Sequence, residues 1–239
     1  MKLAIITGGS KGLGKGLFEQ LGEMGYQMIE LSRSAPYEVS HKIDLANPLE
    51  ARQTAEKVVA DLDDEGLEEL LIINNAAVNV PVGPAVKQDA ADILMHLNVN
   101  MVSQILVLSA VMAKFKETVC PKLIANITSG AANSAFEGMS LYCATKAGME
   151  QFVRTTAAEQ AREAAPFMLI NVDPSVMDTD MQTIMRGVSE EDFPAVERFV
   201  AMKEEGNLYA PADTAGAIIR ILTRDDLVNG ERYHVSDFR

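Results

Sequence analysis

A short isoleucine-rich run, residues 3–7, passes without a polar break into Gly8-Gly9-Ser10-Lys11-Gly12-Leu13-Gly14. Leu13, Leu17, Leu21 and Met24 then recur at helical spacing, and Gly25 marks the stop. A buried strand, a tight glycine turn and an amphipathic helix in that order leave few folds open. In Thr7-Gly8-x-x-x-Gly12-x-Gly14 the first glycine permits a tight turn and the second lets backbone N–H groups approach a pyrophosphate. The third lets helix and strand pack closely, and the helix N-terminus offers its partial positive charge to the phosphates. Glycine-rich turns also mark ordinary loops. The strand before this one and the periodic helix after it favour a dinucleotide site contacted by Gly8, Ser10, Lys11, Gly12, Leu13 and Gly14.

The rest of the chain repeats this rhythm. Further apolar strand candidates fall at 27–31, 39–43, 70–74, 122–128, 167–172 and 232–235, with helical patterns at 48–64, 90–116, 142–164 and 212–223. Strands alternating with long helices predict an α/β fold. The expected form is a single Rossmann-type, doubly wound parallel sheet of about seven strands with helices on both faces. One link is short. Residues 32–38 are fewer than the dozen or so a parallel crossover needs, so a non-helical connection is expected there. No repeat, low-complexity tract or linker divides the chain, so 1–239 reads as one dinucleotide-binding domain. Residues 175–208 interrupt the rhythm and carry Met177, Met181, Met185 and Met202 among charged residues. Methionines at helical spacing commonly belong to a core, but their place after a strand's carboxyl end favours a substrate-covering segment.

Composition closes several other routes. Hydrophobic residues at 48% and charged residues at 23% fit a soluble globular chain and exclude disorder. A formal charge of −13 repels phosphate backbones, which argues against a nucleic-acid partner while leaving room for one local basic pocket. Cys120 and Cys143 are too few for a disulfide scaffold, and with His41, His96 and His234 they show no ligand spacing, so no metal is expected. No apolar run of about 18 residues suggests a membrane span, and residues 1–7 are too short for a signal-peptide core. The expectation is a cytoplasmic protein with no membrane partner.

Cofactor choice is legible at the end of the second strand candidate. An Asp or Glu there would accept from a ribose 2′-OH and repel a 2′-phosphate, whereas an arginine accommodates the phosphate. Here the strand ends in Leu31-Ser32-Arg33, with Lys11 as a second cation in the glycine turn and Glu30 further inside, where its side chain can face away. Surface charges are usually only solvated. Two cations converging on one pocket of an acidic chain point instead to NADP(H).

Tyr142 and Lys146 lie four apart on one helix face, and Ser129 follows the strand candidate 122–128 at its carboxyl end. A carbonyl that accepts hydride needs a proton at its oxygen. A free tyrosine titrates near about 10, and a nearby ammonium favours the phenolate. Ser129 can hydrogen-bond the same oxygen as charge develops. Tyr-x-x-x-Lys alone is a common coincidence on helices. Its combination with the glycine turn and a strand-end serine is not.

These residues together resemble the short-chain dehydrogenase/reductase family. The likeness rests on the glycine turn, Asp44-Leu45, Asn74-Asn75-Ala76-Ala77, Asn98, Ser129, Tyr142 with Lys146, and residues 174–179. It implies a tetrad of Asn98, Ser129, Tyr142 and Lys146, with Tyr142 as acid/base, Ser129 on the substrate carbonyl and Lys146 on the nicotinamide ribose. Asn98 would hold a helix kink and a relay water. Asp44 and Leu45 would lie at the adenine, Asn75, Ala76 and Ala77 near the adenosine ribose, and Pro174, Met177 and Thr179 at the nicotinamide carboxamide. Ala77 and Ser175 stand where the family usually has glycine, and the common Asp-Gly-Gly ending is missing.

Residues 177–182 and 202–208 are similar to the sepiapterin reductase branch and its bacterial relatives that reduce benzil and other vicinal diketones. The branch implies an NADPH-dependent carbonyl reductase with a small-molecule carbonyl substrate. Met181 and Asp237 would join Ser129 and Tyr142 in contacting that substrate, Asp237 as the counterpart of a pterin-anchoring carboxylate or as a plain terminal acid. The family also implies a homodimer, with a tetramer as the other state, built partly from helices 90–116 and 142–164. Two other functions share the motifs: a non-catalytic NADP(H) sensor or scaffold, and an alcohol or sugar dehydrogenase.

Overall fold

A computed structural model of the chain describes residues 1–238. Seven parallel strands form one sheet in the order β3-β2-β1-β4-β5-β6-β7. They are β1 (Lys2–Thr7), β2 (Tyr26–Ser32), β3 (Ser40–Lys42), β4 (Glu69–Asn74), β5 (Lys122–Ile127), β6 (Met168–Asp173) and β7 (Arg232–His234). The helices between them are α1 (Gly12–Glu23), α2 (Pro48–Ala60), α3 (Ala90–Leu97), α4 (Ser103–Lys114), α5 (Ser140–Gln160), α6 (Asp180–Arg186), α7 (Val196–Glu204) and α8 (Pro211–Leu222). The chain winds outward from β1 in both directions, so a crevice opens at the carboxyl ends of β1 and β4, where the strand order reverses.

Strand residues alternate between two cores, as a pleated strand buried on both faces requires. Leu3 and Ile5 join Val58, Val107, Val111 and Val153 on the side of α2, α4 and α5. Ala4 and Ile6 join Leu17, Leu21, Ile218 and Ile221 on the side of α1 and α8. The short link after β2 carries no helix, as its length predicts. Tyr37 replaces one: its ring stacks on Phe18 of α1 at 4.1 Å, and its hydroxyl donates to the Gly9 carbonyl at 3.2 Å.

Beneath the crevice runs a row of buried amides. Asn74, Asn126 and Asn171 are in register on β4, β5 and β6. Asn74 Nδ2 donates to Asn126 Oδ1 and Asn126 Nδ2 to Asn171 Oδ1, both at 2.8 Å. Asn74 also donates to Gln104 Oε1 of α4 at 2.8 Å, and Gln104 Nε2 donates to the Ala76 carbonyl at 2.5 Å. A buried amide is costly unless its hydrogen bonds are met, so this row holds the strand ends and α4 in one arrangement.

Two expectations change. The pattern at 90–116 is two helices, α3 and α4, joined by a π-helical turn at Asn98–Val102. By length and composition Ala90–Lys114 is also apolar enough to cross a membrane, contrary to the sequence reading. Its Val107, Leu108 and Val111 are core residues packed with the strands.

Candidate active site

The glycine turn is shaped by close approach. A Cβ on Gly14 would lie 2.0 Å from the Gly8 carbonyl oxygen, closer than any side-chain carbon can come. Gly8 itself takes φ +69°, which favours glycine. Asn75 Nδ2 clamps the turn by donating to the Thr7 and Gly8 carbonyls, each at 3.0 Å. Thr7 Oγ1 accepts the Asn75 and Ala76 N–H groups in return. The α1 N-cap, Lys11, is not capped by a side chain, which leaves the first-turn N–H groups for an anion. Such a cradle fits a dinucleotide pyrophosphate.

Glu30 does not face away. It is fully buried against the turn, accepting the Gly9 N–H at 2.9 Å and the Ser32 hydroxyl at 3.1 Å. The sequence pattern gives no sign of this role, because Gly9 stands only as a spacer between the motif glycines. Ser32 Oγ also accepts the Ala35 N–H at 3.1 Å. Of the two expected cations, Lys11 pairs with Asp180 at 2.5 Å, whereas Arg33 is exposed and has no polar partner among the described residues. Asp44 closes a local turn by accepting the Ala46 N–H at 3.0 Å, and the Leu45 carbonyl accepts from Ser103 Oγ at 2.6 Å. Thr179 Cγ2 lies 3.6 Å from where a Cβ on Gly12 would stand, so residues after β6 approach the glycine turn. Ser175 takes φ +65°, the left-handed conformation that glycine would hold there, and its N–H donates to Asp173 Oδ1.

Ser129, Tyr142 and Lys146 converge at the carboxyl end of β5. Ser129 caps a short 3₁₀ turn, with its Oγ accepting the Ala131 N–H at 3.2 Å. Lys146 is buried, donates to the Ile127 carbonyl at 2.7 Å and lies 5.7 Å from the centre of the Tyr142 ring. Burial pushes the Tyr142 phenol up to about 12, against a hydrogen bond with Ser129 that acts the other way. Burial likewise pulls Lys146 down to about 8, opposed by the Asp173 and Glu150 carboxylates. The sequence reading has the ammonium lowering the phenol; in this site burial raises it, the Asp173 carboxylate adds to the rise, and only the Ser129 hydrogen bond opposes it.

The expected tetrad needs a correction at its asparagine. Asn98 turns toward the loop after β3 and donates to the Ala46 carbonyl at 3.1 Å. The kink is held by Asn100, which is 1% exposed. Its Oδ1 accepts the Val78 N–H at 2.8 Å, and its Nδ2 donates to the Val78 carbonyl at 2.7 Å and to His96 Nε2 at 3.0 Å. His96 Nδ1 is 2.8 Å from the Val80 carbonyl, which can only accept, so His96 is the neutral Nδ1–H tautomer. Burial lowers its pKa, in the same direction.

Residues 175–208 fold as α6, α7 and their loops and close on the start of α5. Met139, Met185, Phe193 and Val196 form an apolar cluster joined by Val82, Phe136, Tyr142 and Phe199. Asn79 Nδ2 holds α6 by donating to the Met181 carbonyl at 2.8 Å, while Met177 bridges to Tyr209. The Asp237 carboxylate accepts the Ser236 hydroxyl at 3.1 Å. It is exposed in the 3₁₀ turn Val235–Phe238, whose Phe238 carbonyl accepts from Arg220 of α8.

A family model described as short chain dehydrogenase matches residues 2–187. The benzil reductase ((S)-benzoin forming) of Bacillus subtilis (strain 168) is 36% identical over 244 residues, covering 100% of both chains. The sepiapterin reductase of Mus musculus is 28% identical over 254 residues, covering 95% of this chain and 94% of its own. Among solved structures, the KRED1-Pglu enzyme superposes with a TM-score of 0.82 at 24% identity, covering 98% of this chain and 100% of that one.

Proposed function

The chain belongs to the short-chain dehydrogenase family, and from that membership we propose that it is an NADPH-dependent carbonyl reductase acting on an aromatic vicinal diketone such as benzil. The carrying observation is the meeting of Ser129, Tyr142 and Lys146 beside the glycine cradle, under an apolar cluster built from Met139, Met185, Phe193 and Val196. The full-length likeness to a benzil reductase supports the substrate.

A reduced nicotinamide dinucleotide supplies the hydride when bound. Gly8, Ser10, Gly12, Leu13 and Gly14 would hold its pyrophosphate, with Asn75 and Ala76 toward the adenosine ribose and Pro174, Met177 and Thr179 toward the nicotinamide. Ser32 and Arg33 would receive the 2′-phosphate, Arg33 as a cation with no polar partner among the described residues. Ser129 Oγ donates to the carbonyl oxygen of the substrate. Tyr142, largely protonated at neutral pH because burial raises it, donates its phenolic proton to the same oxygen as the alcohol forms. Lys146 steadies the resulting phenolate until a proton returns. Asn100 takes the place expected for Asn98, tying the kink to the loop after β4. Residues 175–208 cover the substrate and exclude water.

NADPH oxidation followed by absorbance, with benzil, sepiapterin and simple ketones as substrates, tests the reading. Tyr142→Phe is expected to bind NADPH as the wild type does and to lose turnover by about 100-fold or more. Full turnover in that variant overturns the mechanism, and a wild type that reduces no carbonyl overturns the function.

A further inference from the structure

The floor of the site holds a second set of charges that the reaction scheme does not use. Arg232, on the short edge strand β7, reaches under the end of β6. Its Nη1 is 2.5 Å from Glu150 Oε1, and its Nη2 is 2.6 Å from Asp173 Oδ2. The same Nη2 donates to the carbonyl of Ser129 at 3.2 Å. Glu150 and Asp173 are 2% and 4% exposed, so neither has solvent to stabilise its charge. One guanidinium therefore joins α5, the ends of β5 and β6, and β7 at the residue expected to hold the substrate oxygen.

The remaining groups around it complete the electrostatics. Thr128 Oγ1 donates to Glu150 Oε1 at 2.6 Å, and Arg154, half in water, lies 3.4 Å from Glu150 Oε2. On the other side the Ser175 N–H donates to Asp173 Oδ1, and His234 Nε2 stands 3.7 Å from Asp173 Oδ2. Asp173 and Glu150 both favour the charged form of Lys146, and Asp173 disfavours ionisation of Tyr142. With Arg232 present, two buried anions meet the partly buried Arg232 and the buried Lys146. Without it, Glu150 keeps only the half-exposed Arg154 beside it, Asp173 has only His234 at 3.7 Å, both anions bear more strongly on Lys146, and the Ser129 backbone loses its side-chain tether.

We propose that Arg232 is a positioning residue for the carbonyl reduction: it fixes the backbone of Ser129 and neutralises Glu150 and Asp173, leaving Lys146 to serve Tyr142. The proposal rests on Ser129 and Tyr142 being the reacting groups. A planar guanidinium suits this task because it presents several donors in a fixed fork, which an ammonium cannot reproduce.

The test compares full-length Arg232→Met, Arg232→Lys and the double variant Arg232→Met/Asp173→Asn with the wild type, using benzil reduction and benzoin oxidation across pH. In Arg232→Met, kcat falls by about 10- to 100-fold while the KM for NADPH stays within about twofold, since displacement near the reacting atoms costs rate more than binding. The acidic limb of benzoin oxidation, which needs the phenolate, moves to higher pH. Arg232→Lys recovers part of the rate. The double variant, which removes one stranded anion, returns the limb toward the wild-type position. If Arg232→Met does not fold, as its melting curve reports, the other two variants decide by the same readouts. A wild-type kcat with an unmoved limb in the folded variants overturns the proposal while leaving the reductase intact. A wild type inactive on every carbonyl overturns the reductase reading, and this role with it.

Discussion

Tyr142 and Lys146 show burial working against both members of a proton-transfer pair. The phenol is raised to about 12 and the ammonium lowered to about 8, so at neutral pH each stays protonated, with Lys146 near its own titration. The kink before α4 turns on an equally fine distinction. Asn98 and Asn100 are two positions apart and so face different sides of a helix. Asn100 is in phase with His96, Gln104, Val107 and Val111 on the buried stripe, and Asn98 is not. Asn100→Ala strands both polar groups of Val78 and is expected to cost about 1–3 kcal/mol. A large fall in kcat should accompany it. Asn98→Ala, losing one partly buried hydrogen bond, should change the melting temperature and kcat far less. Equal effects in the two variants would contradict this assignment. The stripe phase is present in the sequence; the family resemblance puts the role on Asn98, which lies off that stripe, while Asn100 lies on it. Tyr142, Lys146 and Ser129 were legible because their spacing and strand-end position are local properties. Arg232 was not, since its partners Glu150 and Asp173 lie 82 and 59 residues away.

At the scale of elements, helix and strand assignments held where the apolar period was long, as in α1 and β4, and shifted where it was short. β3 is only three residues, Ser40–Lys42, because the link before it is pinned by Tyr37 rather than by a helix. The asparagine row across β4, β5 and β6 was invisible to periodicity, which scores amides as polar interruptions of a strand. Its neighbour in the fold, α3, carries a titration with a clear sign. Burial holds His96 below its ordinary 6.5, so the folded chain keeps it neutral while the unfolded chain takes up a proton first. Its contribution to stability is complete above that ordinary value and is lost as pH falls below it. The expected result is a fall in melting temperature between about pH 7 and 5 that is shallower in His96→Gln. An unchanged slope would show that other groups set the acid limit.

For the molecule as a whole, an acidic chain of −13 that takes the proposed polyanionic cofactor needs a local cation, and Arg33, at the end of β2, is exposed and has no polar partner among the described residues. Ligand at about 100 times its Kd stabilises a fold by about 2.7 kcal/mol. NADPH is therefore expected to raise the melting temperature more than NADH does at equal concentration. Arg33→Asp should remove most of that difference and raise the KM for NADPH above that for NADH. An unchanged preference would reduce Arg33 to a solvated surface charge. The doubly wound architecture was legible because strand and helix alternate along the chain. The packing of 175–208 onto α5 was not, because an apolar cluster made from four distant methionine, valine and phenylalanine side chains has no local signature. The place of Arg232 on the last strand of the sheet also bears on how the protein is made. Synthesis delivers Glu150 and Asp173 to the emerging polypeptide well before their guanidinium partner arrives. A nascent chain halted before residue 232 thus carries two carboxylates without the guanidinium that joins them, and the floor of the reaction centre is completed only when the sheet's final strand docks.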